Sequence, residues 1–327
     1  MPSKQIPINS GFGPRTTAAE VMRGTDLRGK NAIVTGGYTG LGLETTRVLA
    51  QAGATVVVPA RSIDKARAAL TGIPRVEIAV LDLLDPSSIA GFARGFVGSG
   101  RPLHILVNNA GIAATPLTRD ARGYESQFSA NHLGHFQLTA QLLPALRKAG
   151  SARVVAVSSR GHSFAPVDLH DPNFEHRAYN KFVAYGQSKT ANALFALGLD
   201  ARGEQHGIRA FSVHPGRIMS TGLNRYLSDE ELKAVMRASG LLDEQGREIA
   251  DVNGKNIEQG AATIAWCAAS AQLEGMGGVY CADVDIAPAV EADSTDHAGV
   301  RPWAADPVLA DRLWELSERL TGVRFNI

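Results

Sequence analysis

The sequence has few cysteines and no recognisable set of metal ligands. Its 327 residues include two cysteines, Cys267 and Cys281, which are too few for a disulfide framework and indicate a reducing compartment such as the cytoplasm. The N-terminus lacks the apolar core of a signal peptide, and no apolar run approaches the ~20 residues that a membrane-spanning helix needs. We therefore expect a cytoplasmic protein with no membrane segment and no bound metal.

The sequence also lacks an excess of charge of one sign. The formal net charge is +1, and no basic run or basic patch with interleaved aromatics is present, so we predict no nucleic-acid partner. With 44% hydrophobic residues, the chain is long enough for one large α/β domain with extensions. We divide it into an N-terminal arm (residues 1–26), a main domain (residues 27–285) and a C-terminal extension (residues 286–327).

Short β-branched and apolar runs alternate with segments of helical periodicity. This pattern predicts strands over residues 31–35, 55–58, 76–81, 103–107, 153–157, 208–213 and 278–282. It predicts helices over residues 17–23, 41–52, 63–70, 86–97, 124–148, 179–204, 258–270 and 307–320, with a mobile segment of helix and loop over 221–256. The alternation indicates βαβ units, and hence a Rossmann-type, doubly wound parallel sheet that binds ligands beyond the carboxyl ends of its strands.

The turn between the first strand and the following helix contains four glycines in the spacing T-G-x-x-x-G-x-G. Glycines in such a turn let the backbone approach a pyrophosphate, which the N-terminus of the next helix also attracts. A tight turn without a ligand is the alternative, but the order of strand, loop and helix favours a nucleotide. The four glycines are Gly36, Gly37, Gly40 and Gly42.

The second predicted strand ends without the acidic residue that would hold the ribose 2′-OH of NAD. It is followed by Arg61, whose forked cation suits a 2′-phosphate, and Lys65 could assist one helical turn later. Alternatively, Arg61 is a solvated loop residue and Asp64 a charge at the helix N-terminus. We predict NADP(H) as the cofactor, with NAD(H) less favoured.

Two further strand ends carry residues suited to a dinucleotide. Asp82 could accept a hydrogen bond from an adenine amino group, whereas Asp85 better fits the start of the next helix. Asn108–Gly111 reads N-N-A-G; its asparagines can tie strand ends together, and Ala110 with Gly111 leaves room for a ribose. Taken alone, N-N-A-G is also an ordinary turn.

Of the six tyrosines, only Tyr185 has a lysine, Lys189, four residues later on the same helical face. Tyr179 has none there, because Lys181 is two residues on. A tyrosine acid/base near neutral pH must lose about three pKa units, or ~4 kcal/mol. An exposed ion pair supplies only ~0–1 kcal/mol, so the pair must lie in a partly dehydrated cleft, helped by the positive ring of an oxidised nicotinamide.

Three other sets of polar residues have open interpretations. Ser159, the second of two serines that end the fifth strand, could hold a substrate oxygen or form a turn. Asn131 lies inside a predicted helix, where asparagine is unfavourable; it could hold a water that feeds protons to Lys189, or be exposed. His132 and His135 have a metal-compatible spacing but no third ligand, so we predict structural roles for them.

These motifs resemble the short-chain dehydrogenase/reductase family over roughly residues 27–285. Thr35–Gly42 matches its T-G-x-x-x-G-x-G motif, Asn108–Gly111 its N-N-A-G motif, and His214–Gly216 the segment that folds over the nicotinamide. The runs N-H-L-G-H-F, A-Y-G-Q-S-K-T-A-N and E-Q-G-A-A-T, with the lead-in V-x-x-G-x-D-L-x-G-K, are similar to the retinol-dehydrogenase and WW-domain-oxidoreductase branch.

The resemblance implies a role for each residue of the site. Tyr185 would be the acid/base, Lys189 would bind the nicotinamide ribose and lower the tyrosine pKa, Ser159 would hold the substrate oxygen, and Asn131 would anchor a relay water. Ser220 replaces a family threonine and keeps its hydroxyl. The implied cofactor-binding residues are Gly36, Tyr38, Thr39, Gly40, Leu41, Gly42, Arg61, Asp82, Leu83, Asn109, Ala110, Gly111, Tyr185, Lys189, Pro215, Gly216, Ile218 and Ser220.

We therefore predict an NADP(H)-dependent oxidoreductase that acts on the carbonyl or secondary alcohol of a small molecule. Apolar residues around the presumed mouth indicate a lipophilic substrate, with residues 217–256 on the substrate side and the segment between Ser159 and Tyr185 shaping access. A non-catalytic NADP(H)-binding redox sensor, or a lyase or epimerase on the same fold, is the alternative. The family resemblance also suggests a homodimer or homotetramer through the two long helices, although residues 286–327 could cover or extend that surface. The apolar residues are Phe164, Phe174, Leu223 and Leu227.

Overall fold

A computed structural model describes residues 4–219, 222–238, 241–243, 245–247, 249, 253–295 and 299–327. Within these ranges, eight strands form one sheet in the order β3-β2-β1-β4-β5-β6-β7-β8. All neighbours pair in parallel except β7 and β8, which are antiparallel. The strands are β1 (Asn31–Val34), β2 (Thr55–Ala60), β3 (Val76–Val80), β4 (Ile105–Asn108), β5 (Ala152–Val157), β6 (Ile208–His214), β7 (Val279–Ala282) and β8 (Asp285–Ile286).

Helices follow most of the strands and cover both faces of the sheet. The described helices are α1 (Ala18–Val21), α2 (Gly40–Gln51), α3 (Ile63–Leu70), α4 (Pro86–Gly98), α5 (Ser126–Phe128), α6 (Gly134–Lys148), α7 (Lys181–Gly203), α8 (Asp229–Ala238), α9 (Ile257–Ala269) and α10 (Pro307–Thr321). Because neighbouring strand residues point to opposite faces, Ala32 and Val34 pack into the core beneath α2, α3 and α9, whereas Ile33 packs beneath α4, α6 and α7. None of these helices is long and apolar enough to cross a bilayer.

The predicted doubly wound sheet is confirmed, and all seven predicted strands are present with ends shifted by at most two residues. The eighth strand was missed, because two residues are too few to show an alternating pattern. The prediction of mobile helix and loop over residues 221–256 falls partly outside the described residues. The described part contains the 3₁₀ turn Gly222–Tyr226 and helix α8.

The prediction of one continuous helix over residues 124–148 was wrong. The segment consists of α5, a π-helical turn over Ser129–Leu133, and α6. Glu125 lies before α5 and caps it, since its carboxylate accepts hydrogen bonds from the backbone nitrogens of Gln127 and Phe128. The wider turn places Asn131 where a regular helix would not, as described below.

The chain ends pack against the sheet and its helices. In the N-terminal segment, the Gln5 side chain donates to the carbonyls of Tyr280 and Ala287, which lie on or beside β7 and β8. At the other end, α10 packs along α7, and the Trp314 ring stacks on Phe195 with centroids 6.0 Å apart. Helix α10 thus covers part of the long-helix surface through which the family resemblance suggests pairing.

Candidate active site

The predicted motifs meet at the carboxyl ends of four adjacent strands. β1 leads into the glycine turn, β4 into Asn109–Gly111, β5 into Ser159, and β6 into Pro215 and Gly216. These strands neighbour one another in the sheet, so residues far apart in sequence share one edge. Such an edge is where open parallel sheets bind their ligands.

The glycine turn is closely packed against the end of β4. A Cβ atom on Gly36, whose φ is +65°, would lie 3.1 Å from Asn109 Nδ2, and one on Gly42 would collide with the Gly36 carbonyl. Thr39, at the N-cap of α2, makes no side-chain capping bond. The turn therefore leaves the N-terminus of α2 open to an anion, which fits the pyrophosphate of a dinucleotide.

We expect Gly42→Ala to weaken the binding of NADPH at least ~10-fold, because the added methyl group displaces the backbone that approaches the pyrophosphate. Gly95→Ala is the matched control, since a Cβ at that exposed position of α4 meets no atom within 4 Å. It should leave binding intact and raise the free energy of unfolding by about 0.5–1 kcal/mol. Fluorescence titration with NADPH measures both affinities, and equal affinities would contradict the assignment.

Thr35 ties the glycine turn to the end of β4. Its hydroxyl accepts hydrogen bonds from the backbone nitrogens of Asn109 (2.9 Å) and Ala110 (3.0 Å). The Asn109 side chain donates back to the Thr35 carbonyl at 2.9 Å. The hydroxyl also lies 2.9 Å from His135 Nε2. Thr35 and His135 were not among the predicted site residues, because nothing in the local sequence connects them.

Asn131 is buried in the π-helical turn, so it is not an exposed helical residue. Its amide accepts from the Ile112 nitrogen and donates to the Ile112 carbonyl and to Ser188 Oγ, each at 2.9 Å. Its backbone carbonyl accepts from His135 Nδ1 at 2.9 Å. Asn131 therefore joins the loop after β4 to α7, where its partner Ser188 directly precedes Lys189.

The two histidines of this turn face different partners. His132 Nε2 lies 2.7 Å from Ser317 Oγ of α10, whereas His135 faces Thr35 and Asn131. Burial lowers the pKa of His132 to about 3 and that of His135 to about 4, so both rings are neutral at pH 7. Among the described residues, no group of three potential ligands could hold a metal ion.

Tyr185 and Lys189 lie on one face of α7 in a largely dehydrated environment. The Lys189 side chain is only 4% exposed, donates to the Val157 carbonyl at 2.9 Å, and lies 5.7 Å from the centroid of the Tyr185 ring. Burial lowers the pKa of Lys189 to about 8. Burial raises the pKa of Tyr185, which its hydrogen bond with Ser159 partly offsets. A catalytic phenolate near neutral pH therefore needs more positive charge than the polypeptide supplies here.

The two serines after β5 have different roles. Ser158 Oγ donates to the Lys189 carbonyl at 2.8 Å and so holds α7 against the strand. Ser159 Oγ accepts from the Gly161 nitrogen at 3.0 Å, and its proximity lowers the pKa of Tyr185. A Cβ on Gly161 would lie 2.7 Å from Tyr185 Cε1, so glycine there lets the phenol ring come close to Ser159.

The four predicted catalytic residues thus converge. A Cβ on Gly111 would lie 3.1 Å from Asn131 Oδ1 and 3.5 Å from Lys189 Nζ, so the N-N-A-G motif also reaches them. The arrangement places a phenol, a hydroxyl and a buried ammonium group beside the N-N-A-G segment at the end of β4. Such a set can exchange a proton with an alkoxide while holding its oxygen.

The adenosine end of the predicted cofactor site is more open. The Arg61 side chain is exposed and has no hydrogen bond or ion pair within the described ranges. Asp82 Oδ1 accepts from the Leu84 nitrogen, and Asp85 caps α4 as expected from its position. Leu83 is partly buried against the core.

The remaining predicted cofactor residues lie around α2 and the loop after β6. Leu41 and Ile218 meet over Gly260 of α9, where a Cβ would lie 2.7 and 2.9 Å from their side chains. Gly216 has φ +96° and packs on the Lys255 side chain, a buried contact that the sequence did not reveal. Lys255 pairs with Asp283 at 2.5 Å. Tyr38 packs on the core, Gly40 begins α2, and Ser220 lies outside the described residues.

Comparisons with known proteins agree with this geometry. A family model described as short chain dehydrogenase matches residues 30–232. A probable oxidoreductase of Streptomyces lividans is 46% identical, with coverage of 89% of this chain and 97% of the relative. Mouse retinol dehydrogenase 11 is 36% identical, and the match covers 91% of this chain and 88% of the mouse protein. Among solved structures, the RhlG/NADP active-site complex of Pseudomonas aeruginosa superposes on this chain with a TM-score of 0.60 and 25% identity. The match covers 79% of this chain and 95% of the Pseudomonas chain.

Proposed function

The chain belongs to the short-chain dehydrogenase/reductase family of oxidoreductases, and we propose that it transfers a hydride between NADP(H) and the carbonyl or secondary alcohol of a lipophilic small molecule. The observation that carries the proposal is the convergence of Asn131, Ser159, Tyr185 and Lys189 at one sheet edge. A sensor that only binds the cofactor would need neither a hydroxyl at Ser159 nor an acid/base at Tyr185.

The glycine turn, the end of β4 and Lys189 would hold the nicotinamide cofactor, which when bound would supply or accept the hydride. Ser159 holds the substrate oxygen, and Tyr185 donates a proton to that oxygen during reduction or removes it during oxidation. Lys189 favours the phenolate by its charge, and its burial strengthens the interaction. Asn131 fixes the loop after β4 relative to α7, so the groups need not reorganise during the reaction.

Exposed apolar side chains near the site support a lipophilic substrate. Phe164 closes the turn that follows Ser159 and is 49% exposed, and Met219 and Tyr226 are 39% and 42% exposed. Exposed apolar side chains that follow site residues in this way support an apolar ligand. Phe174 does not belong with them: it is buried, with its ring edge-on to that of Tyr179, so placing it at the mouth was wrong.

The decisive experiment is a fluorescence titration with NADPH, followed by a panel of aldehydes, ketones and quinones of increasing alkyl length with absorbance at 340 nm as the readout. We expect oxidation of NADPH and a kcat/KM that rises with chain length. Tight cofactor binding without oxidation by any compound would favour the sensor. Substrate conversion without net oxidation of NADPH would favour a lyase or epimerase.

The proposed preference for NADP(H) rests on Arg61, which is exposed and has no hydrogen bond or ion pair with any residue that the structure describes. The NADP complex of the Pseudomonas aeruginosa neighbour supports the same preference. A charged hydrogen bond contributes about 1.5–3 kcal/mol, so Arg61→Ala should lower kcat/KM for NADPH roughly 10- to 100-fold and leave NADH nearly unchanged. Arg67→Ala, which removes an arginine paired with Asp64 on the same helix, is the control. An unchanged ratio of NADPH to NADH efficiency would refute the role of Arg61.

A further inference from the structure

The backbone carbonyl of Ser159 accepts hydrogen bonds from outside the cleft. The nitrogen of His162 donates to it at 3.1 Å, His162 Nδ1 lies 2.8 Å away, and the Tyr280 hydroxyl donates at 3.1 Å. The hydroxyl of Ser159 is not used by these contacts and accepts instead from the Gly161 nitrogen, beside the Tyr185 ring. The serine that would hold the substrate oxygen is thus anchored by two side chains that the mechanism above does not use.

The contacts of His162 determine which of its nitrogens carries the hydrogen. Nε2 accepts from the backbone nitrogen of Arg301 at 3.2 Å, so the hydrogen must be on Nδ1, where it can be donated to the Ser159 carbonyl. Burial lowers the pKa of His162 to about 4, which keeps the ring neutral. Its ring also lies against Tyr280, with centroids 4.8 Å apart.

The C-terminal segment holds His162 at a second point. The indole nitrogen of Trp303 donates to the His162 carbonyl at 2.9 Å. Arg301 and Trp303 therefore hold both the ring and the backbone of the histidine, from a part of the chain beyond the last strand. On the other side, Gln5 accepts from the Tyr280 nitrogen at 3.0 Å.

We propose that His162 and Tyr280 are positioning residues for Ser159, and that residues 301–303 complete the active site by fixing His162. The inference rests on the proposed function, because it assigns Ser159 to the substrate oxygen. With its carbonyl anchored, Ser159 keeps the backbone conformation, φ −168° and ψ 161°, that holds its hydroxyl beside Gly161 and Tyr185. A displacement of about 1 Å in such a group can cost up to ~10²-fold in rate.

The test measures kcat per NADPH-binding site, so that unfolded protein does not count, with the best substrate found in the panel. We expect His162→Leu to lower kcat about 10- to 100-fold with an unchanged Kd for NADPH. His162→Asn should restore most of the rate, because its amide nitrogen replaces Nδ1 as donor. Tyr280→Phe removes only the hydroxyl and should lower kcat about 3- to 10-fold.

The contribution of the C-terminal segment is tested with two matched tryptophan variants. Trp303→Phe removes the donor to His162 and should lower kcat about 3- to 10-fold. Trp314→Phe makes the same change in α10, where the indole packs on Phe195, and should lower the midpoint of thermal unfolding without altering kcat per site. If His162→Leu does not fold, Tyr280→Phe and Trp303→Phe decide the question.

Three outcomes separate this inference from the proposed function. Parental kcat in Tyr280→Phe and Trp303→Phe, with activity still dependent on Tyr185, would overturn the positioning role and leave the function standing. Equal losses in His162→Leu and His162→Asn would also overturn it, since the donor would then be irrelevant. Activity that does not depend on Tyr185 would instead overturn the proposed function.

Discussion

Tyr185→Phe should lower kcat by about 10²- to 10⁴-fold while leaving NADPH affinity within a factor of two or three of the parent. The range is the usual contribution of a positioned acid/base, and only the phenolic oxygen is lost, so the ring still packs against Gly161. A loss in kcat without a matching loss in cofactor binding is the signature of an interaction with the reacting atoms.

Tyr124→Phe is the matched control for that variant. Its hydroxyl also makes one hydrogen bond, to the Leu320 carbonyl at 3.1 Å, but it lies between the start of α5 and the end of α10. We expect parental kinetics and a small loss of stability, of about 1 kcal/mol. Steady-state rates and NADPH affinities of the two variants are measured side by side. A Tyr185→Phe variant that turns over as fast as Tyr124→Phe would contradict the proposed chemistry.

Lys189→Met should abolish most activity and yet stabilise the fold at neutral pH. Burial lowers the pKa of Lys189 from its ordinary value of 10.5 to about 8, so the folded state disfavours the charged form. This difference of 2.5 pKa units means that the buried charge destabilises the folded state by about 3 kcal/mol, which the substitution removes. The substitution also removes the hydrogen bond to the Val157 carbonyl, which costs about 1 kcal/mol. We expect a net gain of about 2 kcal/mol at pH 7 and a loss of kcat/KM of about 10²-fold or more.

The pH dependence of stability tests this explanation. A lysine whose folded pKa is depressed destabilises the fold fully below about pH 8, and the penalty disappears as the pH rises from 8 through 10.5. The stability advantage of Lys189→Met should therefore shrink between pH 7 and pH 10 in urea unfolding. Lys65→Met, at an exposed position on α3, should show no such trend. A Lys189→Met variant that is less stable than the parent at pH 7 would contradict this explanation.

Much of the site could be predicted because its signals are local. The spacing of Tyr185 and Lys189 on one helix face, and the order of strand, glycine turn and helix around Gly42, are properties of short segments. The sheet order then follows from βαβ geometry, which brings Ser159 to the same edge. These features required no knowledge of distant contacts.

The parts that could not be predicted depend on contacts between distant residues or on small departures from regular structure. Arg301 and His162 are 139 positions apart, and no local pattern links them. The different roles of Ser158 and Ser159 depend on how α7 packs on β5, which residue type alone does not show. The π-helical turn keeps the apolar spacing of an ordinary helix, so the periodicity over residues 124–148 gave no sign of it.

The π-helical turn at Ser129–Leu133 also makes this segment sensitive to the deletion of a single residue. A π-helical turn holds one residue more than the regular helix it interrupts. Deleting one residue there would restore the regular hydrogen bonds of an α-helix. Because each residue advances an α-helix by about 100°, the deletion would also rotate the residues before it by that angle relative to α6. Asn131 would then swing away from Ile112 and Ser188, so a regular helix here would lose the connection between β4 and α7.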